Sequence, residues 1–217
     1  MSQKNIFLDG EADQWFLRNV ESTMSNDLIL DSFQDFSSEG GSLLEIGCSD
    51  GKRLEKLKNQ YGFDVHGIEP SDKAVSVAIS KGLNVQKGTA ESLPYDNQIF
   101  DVVIYGFCLY LCDREDLFRI AYEGDRVLRE GGLLVILDFD PGMPCLNDYH
   151  HLDSILAYKM DYSKMFTWNS AYTIESKKFF GLNKEAGLLS DRNERKSVTR
   201  LIKNSKNAYI SCESFNK

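Results

Sequence analysis

Glu45, Gly47, Ser49 and Gly51 stand at alternate positions in the run Leu43-Leu44-Glu45-Ile46-Gly47-Cys48-Ser49-Asp50-Gly51. An apolar stretch that ends in a carboxylate and passes into small residues reads as a strand and a tight loop, with a helix starting near Lys52. Glycine has no Cβ, so the backbone at Gly47 and Gly51 can turn sharply and a ligand can lie close against it. A strand, loop and helix in this order open a nucleotide-type site at the carboxyl end of a parallel strand. The loop differs from the dinucleotide fingerprint Gly-x-Gly-x-x-Gly: after Gly47 the next glycine is Gly51, with Ser49 between them. A plain strand-to-helix turn would give the same pattern. Glu69 argues for chemistry. It ends the next apolar run, 24 residues after Glu45 (69 − 45). An acidic side chain there can accept both ribose hydroxyls of an adenosine; the bland alternative is a solvated loop carboxylate.

The elements that must position these groups alternate between strand and helix from Leu43 to Phe139, the mark of a parallel α/β sheet. Strands are expected at Leu43–Ile46, Phe63–Ile68, Leu83–Gln86, Phe100–Tyr105 and Gly132–Phe139. Helices fall between them: one carries Leu54 and Leu57 inward, one is capped by Ser71 with Ala74, Val75, Ala78 and Ile79 as its stripe, and one runs from Asp113 to Arg129. Ahead of the sheet, Phe16, Val20 and Met24 at i, i+4, i+8 predict a helix, and Asp27–Phe36 a second. Trp15 and Phe16 either pack on the core or form a lid, and in the lid reading Arg18 faces a ligand carboxylate. Residues 140–172 hold Pro141, Pro144 and six aromatics, too much for a plain connection, with Leu152, Ile155 and Leu156 hinting at a helix. Thr173 then caps a helix through Ala186, and Lys196–Ile202 with Ala208–Phe215 read as two strands.

Length and composition narrow the function classes. The chain of 217 residues suits one domain. A formal net charge of −8 offers no electrostatic footprint for nucleic acid or anionic membrane. No apolar run approaches the roughly 20 residues of a membrane span, and residues 1–11 lack a signal-peptide pattern. Five cysteines without Cys-x-x-Cys and three histidines without ligand spacing predict reduced thiols, no metal, and a cytoplasmic protein.

Acidic-x-Gly-x-small-x-Gly resembles the first motif of class I S-adenosylmethionine-dependent methyltransferases, with Ser49 where many members carry glycine. Gly88-Thr89-Ala90-Glu91-Ser92-Leu93-Pro94-Tyr95 is similar to the segment that follows their third strand, often Gly-Asp-Ala-Glu-x-Leu-Pro-Phe. Thr89 stands in place of the aspartate, and Val127-Leu128-Arg129-Glu130-Gly131-Gly132 matches Leu-x-Pro-Gly-Gly with Glu130 for proline. The resemblance covers about residues 40–140 well and the tail loosely, and is nearest to the small-molecule group related to the ubiquinone/menaquinone-biosynthesis enzymes. It implies S-adenosylmethionine as cofactor and a Rossmann-like seven-stranded sheet with helices on both faces, an antiparallel final strand and an N-terminal helical lid. It divides residues 1–217, one domain, into a lid (1–41), a cofactor-binding core (42–140), a substrate segment (141–172) and a closing helix with strand hairpin (173–217). The cofactor-binding residues it implies are Glu45, Gly47, Ser49, Gly51, Glu69, Pro70, Thr89, Ala90, Glu91 and Tyr105, joined by Arg18. The Ala90 N–H survives any side-chain change, and Glu91 is placed to compensate for Thr89.

The resemblance implies methyl transfer; a small polar or aromatic metabolite is the expected acceptor, at oxygen ahead of nitrogen or carbon. An alcohol acceptor needs a general base near neutral pH. His150 and His151 are the candidates, since free histidine titrates near pKa 6.5 and both lie in the substrate segment; the alternative is two surface loop histidines. Asp138 and Asp140 are lesser candidates. The competing functions are a cofactor-holding sensor or partner subunit that catalyses nothing, and a nicotinamide oxidoreductase. Nucleic acid and membrane insertion are not expected, and the oligomeric state is open.

Overall fold

Short aliphatic runs set the centre of the molecule. Leu43, Leu44 and Ile46 of β1 (Ser42–Ile46) and Val102, Val103 and Ile104 of β4 (Phe100–Gly106) are almost fully buried on both sides of the pleat. Such strands fit a sheet covered on two faces. In the computed structural model, which describes residues 2–20, 27–34, 40–181 and 192–209, β1 pairs in parallel with both β4 and β2 (Asp64–Glu69). On one flank β2 pairs in parallel with β3 (Asn84–Lys87); on the other, β4 pairs in parallel with β5 (Leu128–Phe139). Beyond β5 lie β9 (Lys196–Lys203) and the edge strand β8 (Tyr172–Phe180), and β9 runs antiparallel to both neighbours. The order of this seven-stranded sheet is β3-β2-β1-β4-β5-β9-β8. It reverses direction between β1 and β4, and the crevice outside the carboxyl ends at such a reversal is where ligands bind in open α/β sheets.

Two helical layers cover the sheet. On one face α3 (Leu28–Ser32), α4 (Lys52–Tyr61) and α5 (Asp72–Ser80) bury Ile29, Leu54, Leu57, Val75 and Ala78. On the other, α6 (Leu117–Val127) and α7 (Lys164–Thr167) bury Ile120, Val127 and Phe166. Ser71 caps α5 by accepting from the Ala74 N–H at 3.1 Å, as its sequence position predicts. Ile79, assigned to the buried stripe from sequence, is 56% exposed.

The N-terminal segment folds over the carboxyl ends of the strands. α1 (Gln3–Ile6) and α2 (Ala12–Asn19) meet across a kink at Gly10, where φ is 139°. The Asp113 carboxylate accepts the N–H groups of Gln3 and Lys4, both at 2.9 Å, satisfying two of the donors a helix start leaves open. Asp13 accepts from the Ser71 hydroxyl at 2.6 Å and the Lys73 N–H at 3.1 Å, which ties α2 to the start of α5. Phe16 is buried as packing predicts, while Met24 lies outside the described residues.

Three expectations for the second half need correction. Thr173–Phe180, read as the start of a helix, is the strand β8; its Thr, Ile and Phe residues suit a pleated surface and pair along β9, so tertiary pairing overrides the local helix signal. The closing hairpin among the described residues is therefore β8 with β9; of the expected strand 208–215 only Ala208 and Tyr209 are described, as a bend, and residues 182–191 and 210–217 lie outside the described residues. Leu152, Ile155 and Leu156 are not helical: β6 (Cys145–Asp148) and β7 (Leu156–Lys159) form a separate two-stranded ribbon, with Ala157 and Lys159 buried at alternate positions. No helix among the described residues is long and apolar enough to cross a membrane.

Candidate active site

The glycine bend and Glu69 meet as the sequence predicts. Gly47 takes φ 76°, and its N–H donates to the Ile68 carbonyl at 2.8 Å, so the chain turns over the end of β2. Ser49 also adopts a left-handed φ of 49°, costly for a residue with a Cβ. The Ser49 N–H, aimed by that turn, donates to Glu69 Oε2 at 2.9 Å, and the Ser71 N–H donates to Oε1 at 3.0 Å. Each carboxylate oxygen keeps a further lone pair. Burial pushes the Glu69 carboxyl up to about 7, against the pull of these two N–H groups.

Glu69 lines a cavity at the strand ends, together with Gly47, Ser49, Pro70, Thr89, Ala90 and Glu91. Its opposite wall is Gly106, Phe107, Cys108, Leu111 and Cys112, and the N-terminal segment contributes Lys4, Phe7, Ala12 and Trp15. Phe107 holds φ at 65°, a strained conformation of the kind concentrated at ligand sites. Burial pushes the Cys112 thiol up to about 12 and the Cys108 thiol well above its ordinary value, so both stay protonated and poorly nucleophilic. A cation with an adenosine body fits this arrangement: a backbone bend at the cavity edge, whose missing Cβ leaves room for Cys108, an acceptor pair for a diol, and an apolar wall.

Several predicted residues stand elsewhere. Glu45 lies behind the bend, 1% exposed and ion-paired to Arg53, which also binds Asp27 at 2.6 Å. Burial, opposed by Arg53, pushes its carboxyl up to about 7, and Glu45 Oε2 has no hydrogen-bond partner among the described residues. Gly51 does not line the cavity. A Cβ there would lie 2.4 Å from Leu83 Cδ1 and 3.5 Å from Ala78 Cβ, so Gly51 lets α4 pack beside α5. Gly51→Val is expected to lower the unfolding free energy by about 2–5 kcal/mol, from left-handed strain plus overpacking, as read by denaturant unfolding. Tyr105 points into the core, its hydroxyl donating to the Ile120 carbonyl at 2.8 Å; its neighbours Gly106 and Phe107 line the cavity instead. Arg18 ion-pairs with Glu11 and donates to the Tyr149 hydroxyl at 3.0 Å, away from the lining. His150 and His151 sit exposed on the turn of the β6–β7 ribbon, and the structure brings neither to the cavity. Asp138 accepts three backbone N–H groups, and Asp140 is paired with Lys177 and Arg195.

Lys4, Phe7 and Asp116 are among the lining residues that sequence reasoning missed, as are Ala12, Leu111 and Cys112. Trp15 lines the cavity, in keeping with the lid reading.

A family model described as a methyltransferase domain matches residues 44–136, the stretch that carries the bend, Glu69 and β4. This match supports a class I S-adenosylmethionine-dependent methyltransferase domain over those residues. S-adenosylmethionine is the cofactor of that family. An O-methyltransferase of Penicillium expansum is 32% identical over 50% of this chain and 41% of its own length. The ubiquinone/menaquinone biosynthesis C-methyltransferase of Campylobacter jejuni is 30% identical over 48% of this chain and 43% of its own. The chain thus spans less than half the length of these two relatives. A solved S-adenosylmethionine-dependent methyltransferase of Thermotoga maritima shares the fold with a TM-score of 0.63, at 22% identity over 93% of this chain and 100% of that one.

Proposed function

We propose that this chain transfers the methyl group of S-adenosylmethionine to a small molecule, at an acidic oxygen. The observation that carries the reading is Glu69, a buried carboxylate held by the Ser49 and Ser71 N–H groups with its remaining acceptor capacity on the cavity. The Glu69 oxygens take the two ribose hydroxyls. The methionine portion passes along the Gly47 bend, which lines the cavity, and the 88–91 loop meets the base. Bound there, S-adenosylmethionine supplies a methyl on sulfonium, already a strong donor. The chain supplies alignment and dryness: Phe7, Trp15, Phe107 and Leu111 close the walls, and positioned groups can reach effective molarities of about 10⁵–10⁸ M.

The choice of oxygen follows from the charged groups. The lining carboxylates Glu91 and Asp116 are both engaged by Lys4, and the two loop histidines are exposed. With Glu69 committed to the ribose, no further unpaired base is aimed into the cavity among the described residues, and an acceptor that already ionises near neutral pH, a carboxylic acid or activated phenol, suits the site. The oxygen-directed Penicillium relative supports this choice of atom. Incubation with labelled methyl donor and a metabolite pool should label acidic oxygens. Tight cofactor binding with no labelled product would favour a sensor or partner-subunit role.

A pH dependence follows. The cofactor hydroxyls need ionised Glu69, whose carboxyl sits at about 7 in the free protein. S-adenosylhomocysteine affinity should be level above pH 7 and fall about tenfold per unit below it. Glu69→Gln should flatten that limb; calorimetry across pH 5.5–8.5 reads both.

A further inference from the structure

We infer that Lys4, on the N-terminal helix α1, positions the side chain that reads the nucleobase, so that the segment covering the cavity also sets base selectivity. The inference rests on the cofactor reading above.

The Gly88 N–H donates to the Glu69 carbonyl at 3.1 Å, so the loop that follows β3 starts beside the ribose carboxylate. A base on that ribose reaches Thr89, Ala90 and Glu91. The far end of the loop is fixed: Glu123 accepts the Leu93 N–H at 2.8 Å, and Arg126 donates to the carbonyls of Leu93 and Tyr95. Within it Thr89 has a hydroxyl and no carboxylate, and that hydroxyl donates to Glu91 Oε1 at 2.7 Å. That bond folds the Glu91 carboxylate back over the loop.

Lys4 holds it from the other side. Its ammonium lies 3.1 Å from Glu91 Oε1 and 2.9 Å from Asp116 Oδ2. Lys4, Thr89, Glu91 and Asp116 all line the cavity. Glu91 Oε1 is thus occupied twice, while Oε2 carries no hydrogen bond from the described residues. A carboxylate oxygen only accepts. Adenine presents a donor amine beside a ring-nitrogen acceptor, which matches Glu91 Oε2 beside a backbone N–H. Hypoxanthine reverses both groups and would set its carbonyl oxygen against the carboxylate. Lys4 is itself held at its backbone, since Asp113 accepts its N–H and that of Gln3. Neutralising Glu91 and Asp116 together also removes the repulsion that would swing Glu91 away.

The test compares S-adenosylhomocysteine with S-inosylhomocysteine by calorimetry on the full chain. The unaltered protein should prefer the adenosyl form by about 100-fold, the discrimination expected when a buried acceptor is left facing another acceptor. Glu91→Gln, whose amide can donate to the hypoxanthine oxygen, should cut that preference at least about tenfold. Lys4→Met should cut it by about as much, Lys4→Arg should restore it, and Lys4→Met with Glu91→Gln should be no worse than Glu91→Gln alone. Because the readout is a ratio on one protein, loss of folded material cancels. A wild-type protein that binds both ligands equally, a Glu91→Gln variant that keeps full preference, or a Lys4→Met variant that weakens both equally would overturn the inference. A wild-type protein that binds neither would overturn the cofactor reading with it.

Discussion

Glu69→Ala is expected to weaken S-adenosylhomocysteine binding by at least about 100-fold while leaving the sheet folded. Two ribose hydroxyls lose a charged acceptor, and hydrogen bonds to charged groups are worth about 1.5–3 kcal/mol each. At about 1.4 kcal/mol per tenfold change, both together correspond to about 10²–10⁴ in affinity. The same substitution frees the Ser49 and Ser71 N–H groups. Ser49 then loses the partner that offsets its left-handed backbone, so the loop should relax as well as lose an acceptor. Glu69→Gln separates the two effects: its amide oxygen can keep one loop N–H, but its charge is gone. An intermediate loss, near 10-fold and insensitive to pH, is expected by calorimetry. An alanine variant that binds within a few-fold of the parent would remove Glu69 from the site.

Arg53→Met should lower stability by about 3–5 kcal/mol, the cost of stranding a buried carboxylate after its partner is removed. Arg53 ion-pairs with Glu45 at the bend and with Asp27 at 2.6 Å, the residue that caps α3. The side chains of Glu45 and Asp27 are each 1% exposed, so water cannot replace the guanidinium. For a chain of this size the loss corresponds to about 6–20 °C in melting temperature. The deficit should depend on pH in a defined direction. Burial already raises the Glu45 carboxyl to about 7, above its value in the unfolded chain. The folded state therefore binds more protons than the unfolded state between those two values, and stability falls as pH rises through that window. Without Arg53 the window extends upward, so the variant should lose more on going from pH 6 to pH 8 than the parent. Arg53→Met with Glu45→Gln should recover part of the loss. Denaturant unfolding at both pH values reads all of this.

The central strands were legible because their aliphatic runs leave no other home than a doubly covered sheet, and the bend because Gly47 and Gly51 fall just past one of them. Glu69 was legible from its place at the end of the next run. What lay beyond was set by contacts distant in sequence. Lys4 meets Glu91 and Asp116 only once α1 folds over the strand ends, and no local pattern around Lys4 announces that. Gly51 and Tyr105 sat in the right stretch but face inward, since a one-residue step along a strand or turn changes which side a residue meets. The residues of β8 carry a capping Thr and many charges, which mimic a helix start, yet its pairing with β9 decides its form. The pKa of free histidine and the place of His150 and His151 in the 141–172 segment point to a base, and the ribbon turn holds both at the surface.

The proposed activity needs an adenosine held between the Gly47 bend and Glu69. Calorimetric titration of the full chain with S-adenosylhomocysteine at pH 8 tests that most directly. One molecule per chain with a dissociation constant in the micromolar range, weakened at least about 100-fold by Glu69→Ala, is the predicted result. No binding heat, or binding that Glu69→Ala leaves unchanged, would contradict it.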